Sequence, residues 1–265
     1  MGSPIKTPIA FPTERTPLQR PEAKRMRYNW NWSVLFADPY IGWILTGLGW
    51  TVLVSLMAWI IGLALGSVIG TMRTLPSPVA RAIGATYVEI FRNVPLLVQI
   101  FLFYFVLPEL LPRDWGRWLK RDLPHPEFTM AVISLGLYTA CRVAEQVRAG
   151  IGAAGRGQAS AGLATGLTLT QVYRLILLPL AFRLTVPALT NEFLNVFKNS
   201  SLALTIGVLE LTARTRAVAD YTYQSIEAFA AASLIYASIS FLIAFLMRRV
   251  EARARLPGTL GTGAR

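Results

Sequence analysis

The chain holds one cysteine, Cys141, and one histidine, His125. A single cysteine admits no disulfide within the chain and no redox pair, and one histidine beside it cannot make the His/Cys set of a metal centre. No G-x-x-x-x-G-K-[ST] occurs, so there is no P-loop with which to bind ATP. No Ser/His/Asp set or pair of catalytic carboxylates stands out, which counts against enzyme chemistry. Charge is scarce as well, at 15% of residues. The strong internal repeat that marks many secondary transporters is also missing.

What fills the chain instead is apolar. Hydrophobic residues make up 54%, and the mean hydropathy of +0.47 lies above ordinary soluble usage. A bilayer core roughly 30 Å thick needs about 20 apolar residues in a helix, and the run Ile41 to Gly70 meets that without one charge. Composition and runs together predict an all-α integral membrane protein. Lys+Arg 26 against Asp+Glu 14 gives +12; in a membrane protein such cations belong in loops that stay on the cytoplasmic side, so no nucleic-acid partner is expected.

The pattern along the chain predicts a polar tail over 1–32, a transmembrane domain over 33–250 and a cytoplasmic C-terminal tail over 251–265. The N-terminal tail is Pro-rich, carries Lys6, Arg15, Arg20, Lys24, Arg25 and Arg27, and lacks the apolar stretch of a signal peptide. Trp30, Trp32, Tyr40 and Trp43 then mark an entry into the headgroup region. Five spans are expected at about 41–70, 83–107, 128–147, 186–208 and 228–247. The second contains Glu89, Arg92, Asn93 and Pro95 and reads as one long helix kinked near the proline. Pro108 to Glu127, mixed in charge, is an aqueous or interfacial loop, and 148–183 is too polar to span. The fourth span, with Asn191, Glu192, Asn195, Lys198, Asn199, Ser200 and Ser201 in or beside it, needs protein or water as its neighbour. Counting Lys and Arg on the two sides, and discounting the tail, tips the C-terminus toward the cytoplasm.

Three motifs carry a resemblance. GQASAGLATGLTLTQVYRLILLPLA, Gly157 to Ala181, has the spacing of the EAA-x3-G-x9-I-x-L-P loop, with Ser160, Ala161 and Gly162 at EAA, then Gly166, Ile176, Leu178 and Pro179. YVEIFRNVPLLVQ, Tyr87 to Gln99, and LGLYTACRVAEQVRAGI, Leu135 to Ile151, follow the same family, as does Phe197 to Ser201, FKNSS. The chain resembles the permease subunits of type I ABC importers for polar amino acids, closest to the glutamate/aspartate branch, from Asn29 to Gly258.

The resemblance implies a permease fold with a cytoplasmic coupling helix in the loop 148–183, where Gly157, Gln158, Ser160, Ala161, Gly162, Gly166 and Pro179 meet an ATPase. Ser160 in place of the usual Glu removes any salt bridge from that position. The implied partners are a second permease (a different chain or a copy of this one), two ABC ATPase subunits, an extracytoplasmic amino acid-binding protein and membrane lipid. This chain itself would hold no cofactor, since ATP and Mg stay with the partners. The location implied is a bacterial inner membrane, crossed several times.

Arg142, Glu145, Lys198, Asn199 and Ser200 are candidates for the substrate path, and Glu89, Arg92 and Pro95 for a gate or kink. An arginine at membrane depth is costly unless it faces a cavity or a partner, and its planar fork matches a carboxylate. Arg142 therefore either meets an acidic substrate or pairs with Glu145, three residues on. Glutamate and aspartate are the expected cargo, with other polar amino acids (glutamine, asparagine or basic ones) as the alternative. A second class, an ATP-independent carrier or channel, would use Arg142, Glu145 and Lys198 for ion coupling.

Overall fold

The computed structural model describes residues 28–254. The basic residues of the N-terminal tail up to Arg27, and Arg255, lie outside the described residues. The chain divides into a unit that ends at Trp30 and one that starts at Asn31. In the first, Tyr28 and Trp30 meet edge to face with centroids 4.9 Å apart.

All regular elements among the described residues are helical. After a 3-10 turn at Trp32–Phe36 come α1 (Tyr40–Met72), α2 (Pro78–Asn93), α3 (Leu96–Phe101), α4 (Leu107–Leu110) and α5 (Arg113–Arg117). Then follow α6 (Pro126–Ala153), α7 (Arg156–Ala164), α8 (Leu169–Val172), α9 (Leu178–Asn199), α10 (Leu211–Thr222) and α11 (Ser225–Ala254). Turns of π-helix at Leu102–Val106 and Tyr173–Leu177 join α3 to α4 and α8 to α9, and a 3-10 stretch at Ser200–Ile206 prolongs α9.

The centre of the bundle is α1 against α6. A stripe of glycines at Gly62, Gly66 and Gly70 lets the two backbones close. A Cβ on Gly66 would lie 2.7 Å from the Ala140 carbonyl oxygen, and one on Gly70 2.6 Å from that of Ala144. Gly62 meets Thr139, Gly66 meets Val143 and Gly70 meets Val147. The numbers rise together, so α1 and α6 run parallel. The stripe is a small-xxx-small repeat, the pattern by which helices associate where apolar burial gives no advantage over lipid. α9 runs antiparallel to α6, with Gly150 against Ala181 and Thr185 at one level and Arg142 against Glu192 at another. α10 lies across the N-terminal half of α1, where Leu211 donates its N–H to the buried Thr51 hydroxyl.

By length and composition, three helices are able to cross a membrane, Tyr40–Met72, Leu169–Ile206 and Ser225–Arg253, with a fourth crossing if the bent pair Pro78–Asn93 and Leu96–Leu110 counts as one. α6 is long enough, but Arg142 and Glu145 dilute its apolar stretch; it stands in the bundle by burial, with Val143, Ala144 and Val147 almost fully enclosed. α11 is its opposite, and Phe241, Leu242, Phe245 and Leu246 are exposed.

The kink near Pro95 is a break. α2 and the helix after it meet at 101°, with Val94 and Pro95 extended between them. The reason is local: proline removes a donor and pushes the residue before it out of the helical region. The segment 148–183 is also more helical than a loop, since α6 runs on to Ala153 and α9 begins at Leu178.

Candidate functional site

The α7 hairpin and a cluster of three charged residues meet at the end of the bundle where α1 and α6 finish. α7 starts after Gly155, in positive φ at +87, and stops at Gly166, at +86. Gly166 donates to the Leu163 carbonyl (3.0 Å) and Leu167 to that of Gly162 (3.2 Å), the paired bonds of a left-handed helix stop that glycine adopts without strain. A capping box between Thr168 and Gln171 then restarts the chain as α8. The product is a short helical hairpin; Gly166, Thr168 and Gln171 lie within the motif, and Gly155 stands two residues before it. Gly162 faces inward, where a Cβ would come within 2.9 Å of the tip of the Ile176 side chain. Gly157, Gln158, Ser160 and Ala161 face outward and are exposed. Pro179, in the first turn of α9, is exposed too.

The hairpin packs on the bundle through Val172 and Leu177, which share a core cluster with Val143, Val147 and Ile151 of α6, and one hydroxyl adds a polar tie. Tyr173 donates to the Thr74 carbonyl oxygen over 2.8 Å, just after the end of α1. Next to that point Arg73 pairs with Glu145, which also holds Arg148 at 2.9 Å. Glu145 is thus occupied by two arginines from α1 and α6, and the Arg142–Glu145 pair considered from the sequence does not form.

The partner of Arg142 is Glu192 on α9. Its Nε donates to Oε2 over 2.8 Å, with the Glu192 side chain 8% and the Arg142 side chain 43% exposed. Glu192 holds the guanidinium at Nε, the Tyr138 ring stands beside it with its centroid 6.0 Å away, and part of the side chain stays exposed. Asn191, Asn195 and Lys198 follow at i, i+4 and i+7 along α9; Asn191 and Lys198 are exposed. Among the described residues no ion pair involves Lys198. Asn199 is half-buried, whereas Ser200 is buried and donates back to the Phe197 carbonyl (2.8 Å), where the helix tightens into 3-10 geometry.

At the break, Glu89 and Arg92 pair at 2.8 Å, both half-exposed, and Asn93 donates to Glu89. Pro95 starts the turn, but the residue that holds it is Gln99, which belongs to the YVEIFRNVPLLVQ motif and carried no role in the sequence reading. Its Nε2 donates to the carbonyls of Phe91 (2.7 Å) and Val94 (2.8 Å), orphaned where α2 stops, while its Oε1 is buried without a partner. Gln99→Leu removes two bonds and one unpaired oxygen together and is expected to cost about 1 kcal/mol. Gln99→Glu, which has no donor, costs more, roughly 2–3 kcal/mol. Thermal unfolding of the purified complex ranks the two.

A second buried carboxylate was also not singled out from the sequence. Glu210 caps α10, accepting from the backbone N–H groups of Thr212 (3.0 Å) and Ala213 (2.9 Å) and from Tyr236 Oη (2.8 Å). Burial raises its carboxyl above the ordinary range against the pull of these donors. The available signal was an acid directly before a helical run, the N-cap position.

A family profile described as "Binding-protein-dependent transport system inner membrane component" matches residues 62–256. The glutamate/aspartate import permease protein GltJ of Escherichia coli K12 is 44% identical over 244 residues, 89% of this chain and 99% of its own. The glutamate/aspartate import permease protein GltK of Escherichia coli O6:H1 is 29% identical over 84% of this chain and 99% of its own. Among solved structures, an amino acid ABC transporter with histidines superposes with a TM-score of 0.72 at 27% identity, covering 85% of this chain and 100% of the other.

Proposed function

From the premise that the chain belongs to the inner membrane components of binding-protein-dependent transport systems, we propose that it is the membrane-spanning permease subunit of an ATP-driven importer of glutamate and aspartate. It is a transport component of the inner membrane, and ATP hydrolysis resides in separate subunits. The partner set is a second, different permease of the same family, two ABC ATPases that hold ATP and Mg, and an extracytoplasmic amino acid-binding protein.

The observation that carries the acidic cargo is the Arg142–Glu192 pair. Glu192 neutralises the cost of keeping a guanidinium among apolar helices and fixes its orientation, and the exposed part of the side chain is free to meet a carboxylate. Lys198, further along α9, adds a second positive charge for a substrate that has two carboxylates. The exposed small-residue face of α7 supports docking into a cleft on an ATPase, because small side chains let helices approach closely. Tyr173 and the Arg73–Glu145–Arg148 cluster would carry its displacement to α1 and α6 as one rigid movement. Glu89, Arg92 and Pro95, at the 101° break between α2 and α3, would change the width of the path.

The test is reconstitution with the partner subunits in proteoliposomes. Labelled glutamate is taken up only with ATP inside and binding protein outside; unlabelled aspartate competes and glutamine does not. A cysteine at Ala161 crosslinks to the ATPase. Uptake that persists without the ATPase subunits would assign the chain to the carriers instead.

A further inference from the structure

The segment between α4 and α6 is built more firmly than a connecting loop requires. Gly116 packs so closely on the Pro108 carbonyl oxygen that a Cβ would sit 2.2 Å from it. Leu119 and Leu123 pack against the core cluster that contains Met130 and Leu135, and Lys120 is paired with Glu109. This clamp leaves a cavity of about 390 Å³ lined by Arg113, Arg117, Lys120 and Arg121, with Glu109 as its carboxylate. That carboxylate is taken by Lys120, and among the described residues no ion pair involves Arg113, Arg117 or Arg121. The cations recur at i, i+4, i+7 and i+8, so one helical face carries them all.

The basic cavity adjoins an apolar one. A second space of about 210 Å³ shares Pro108 and Lys120 with it and is walled by Tyr104, Phe105, Leu119 and Met130. Trp115 and Trp118, 65% and 46% exposed, flank the same turn, as aromatic rings do at the headgroup level. A basic, anion-binding site that shares its wall with an apolar groove fits an amphiphile with a negative head. An acidic protein surface needs the arginines but not the groove.

We propose that this hairpin is a binding site for an anionic phospholipid, with the phosphate on Arg113, Arg117 and Arg121 and the first part of an acyl chain against Tyr104, Phe105 and Leu119. The site depends on the chain's being in a membrane and not on what it transports. Bound lipid would brace the turn that joins the broken second crossing to α6.

The experiment uses the assembled complex in nanodiscs of equal parts phosphatidylglycerol and phosphatidylcholine, extracted into detergent and read by native mass spectrometry. Wild type is expected to retain phosphatidylglycerol in preference to phosphatidylcholine. Arg113→Gln/Arg117→Gln/Arg121→Gln loses that preference by more than tenfold, since each basic residue at a membrane surface contributes roughly fivefold. In parallel, a photoactivatable phosphatidylglycerol should label wild type within 104–126, which needs no variant to fold. Unchanged preference in the triple variant, or labelling confined to other segments, overturns the proposal. So does a variant that keeps its lipid but no longer binds the extracytoplasmic amino acid-binding protein, since the face would then belong to a protein.

Discussion

Arg142→Ala should abolish glutamate uptake, by more than a hundredfold in rate, and should lower the stability of the complex at the same time. The two losses have different origins. Stability falls because the Glu192 carboxylate, 8% exposed, is left without its cation; breaking a fully buried pair costs roughly 3–5 kcal/mol, and the solvent access of Arg142 reduces this to about 2. Uptake falls because the guanidinium is gone. Arg142→Ala combined with Glu192→Ala separates them, since no stranded charge remains: the thermal midpoint recovers while uptake stays absent. Arg142→Lys keeps the charge but not the fork and should retain assembly with uptake down at least tenfold. Wild-type uptake by the double variant would falsify the substrate role and leave the pair as a bolt between α6 and α9.

Gly66→Val is expected to be severely damaging to the bundle. The added Cβ alone lies 2.7 Å from the Ala140 carbonyl oxygen and 2.7 Å from Val143 Cβ, so relief requires α1 and α6 to separate, and no side chain can swing away. Overpacking of this kind costs roughly 3 kcal/mol, and here the displaced unit is backbone that also carries the Arg73–Glu145 contact about two turns further on. The purified complex should unfold many degrees lower, or fail to assemble. Gly49→Ala is the control. Gly49 lies on the same helix with nothing within 4 Å of a Cβ, and alanine there should raise stability by about 0.5–1 kcal/mol through helix propensity. A parallel loss at both positions would show that the α1–α6 contact is not the cause.

How much of this was legible in the chain varies by the range of the interaction. α1 reads directly, because a charge-free run of that length has no other stable home. The hairpin around α7 reads almost residue by residue: Gly155, Gly166 and the Thr168–Gln171 box act within three or four positions of themselves. The break at Pro95 was visible as a position but not as an angle. Proline states where the ladder fails, whereas the 101° turn depends on Gln99 reaching back to two carbonyls and on what α6 offers to pack against. The Gly62, Gly66 and Gly70 stripe was open to reading as a small-xxx-small pattern, yet the pattern does not name its partner helix.

Sequence by itself determined that the protein lives in a membrane, that its helices begin and end near glycine, proline and capping residues, and that it contains no P-loop motif. These properties follow from transfer free energy and from short-range backbone chemistry, both functions of neighbouring residues. The tertiary structure alone decided which charge answers which. Glu145 stands three residues from Arg142 and Glu192 stands 50 away, and a helical spacing rule favours the nearer. The nearer one is already held by Arg73 and Arg148, and a carboxylate so occupied has little left to offer a third cation. Pairing in a bundle is a competition settled by the packing of α1, α6 and α9 together, and no stretch of sequence contains all three competitors.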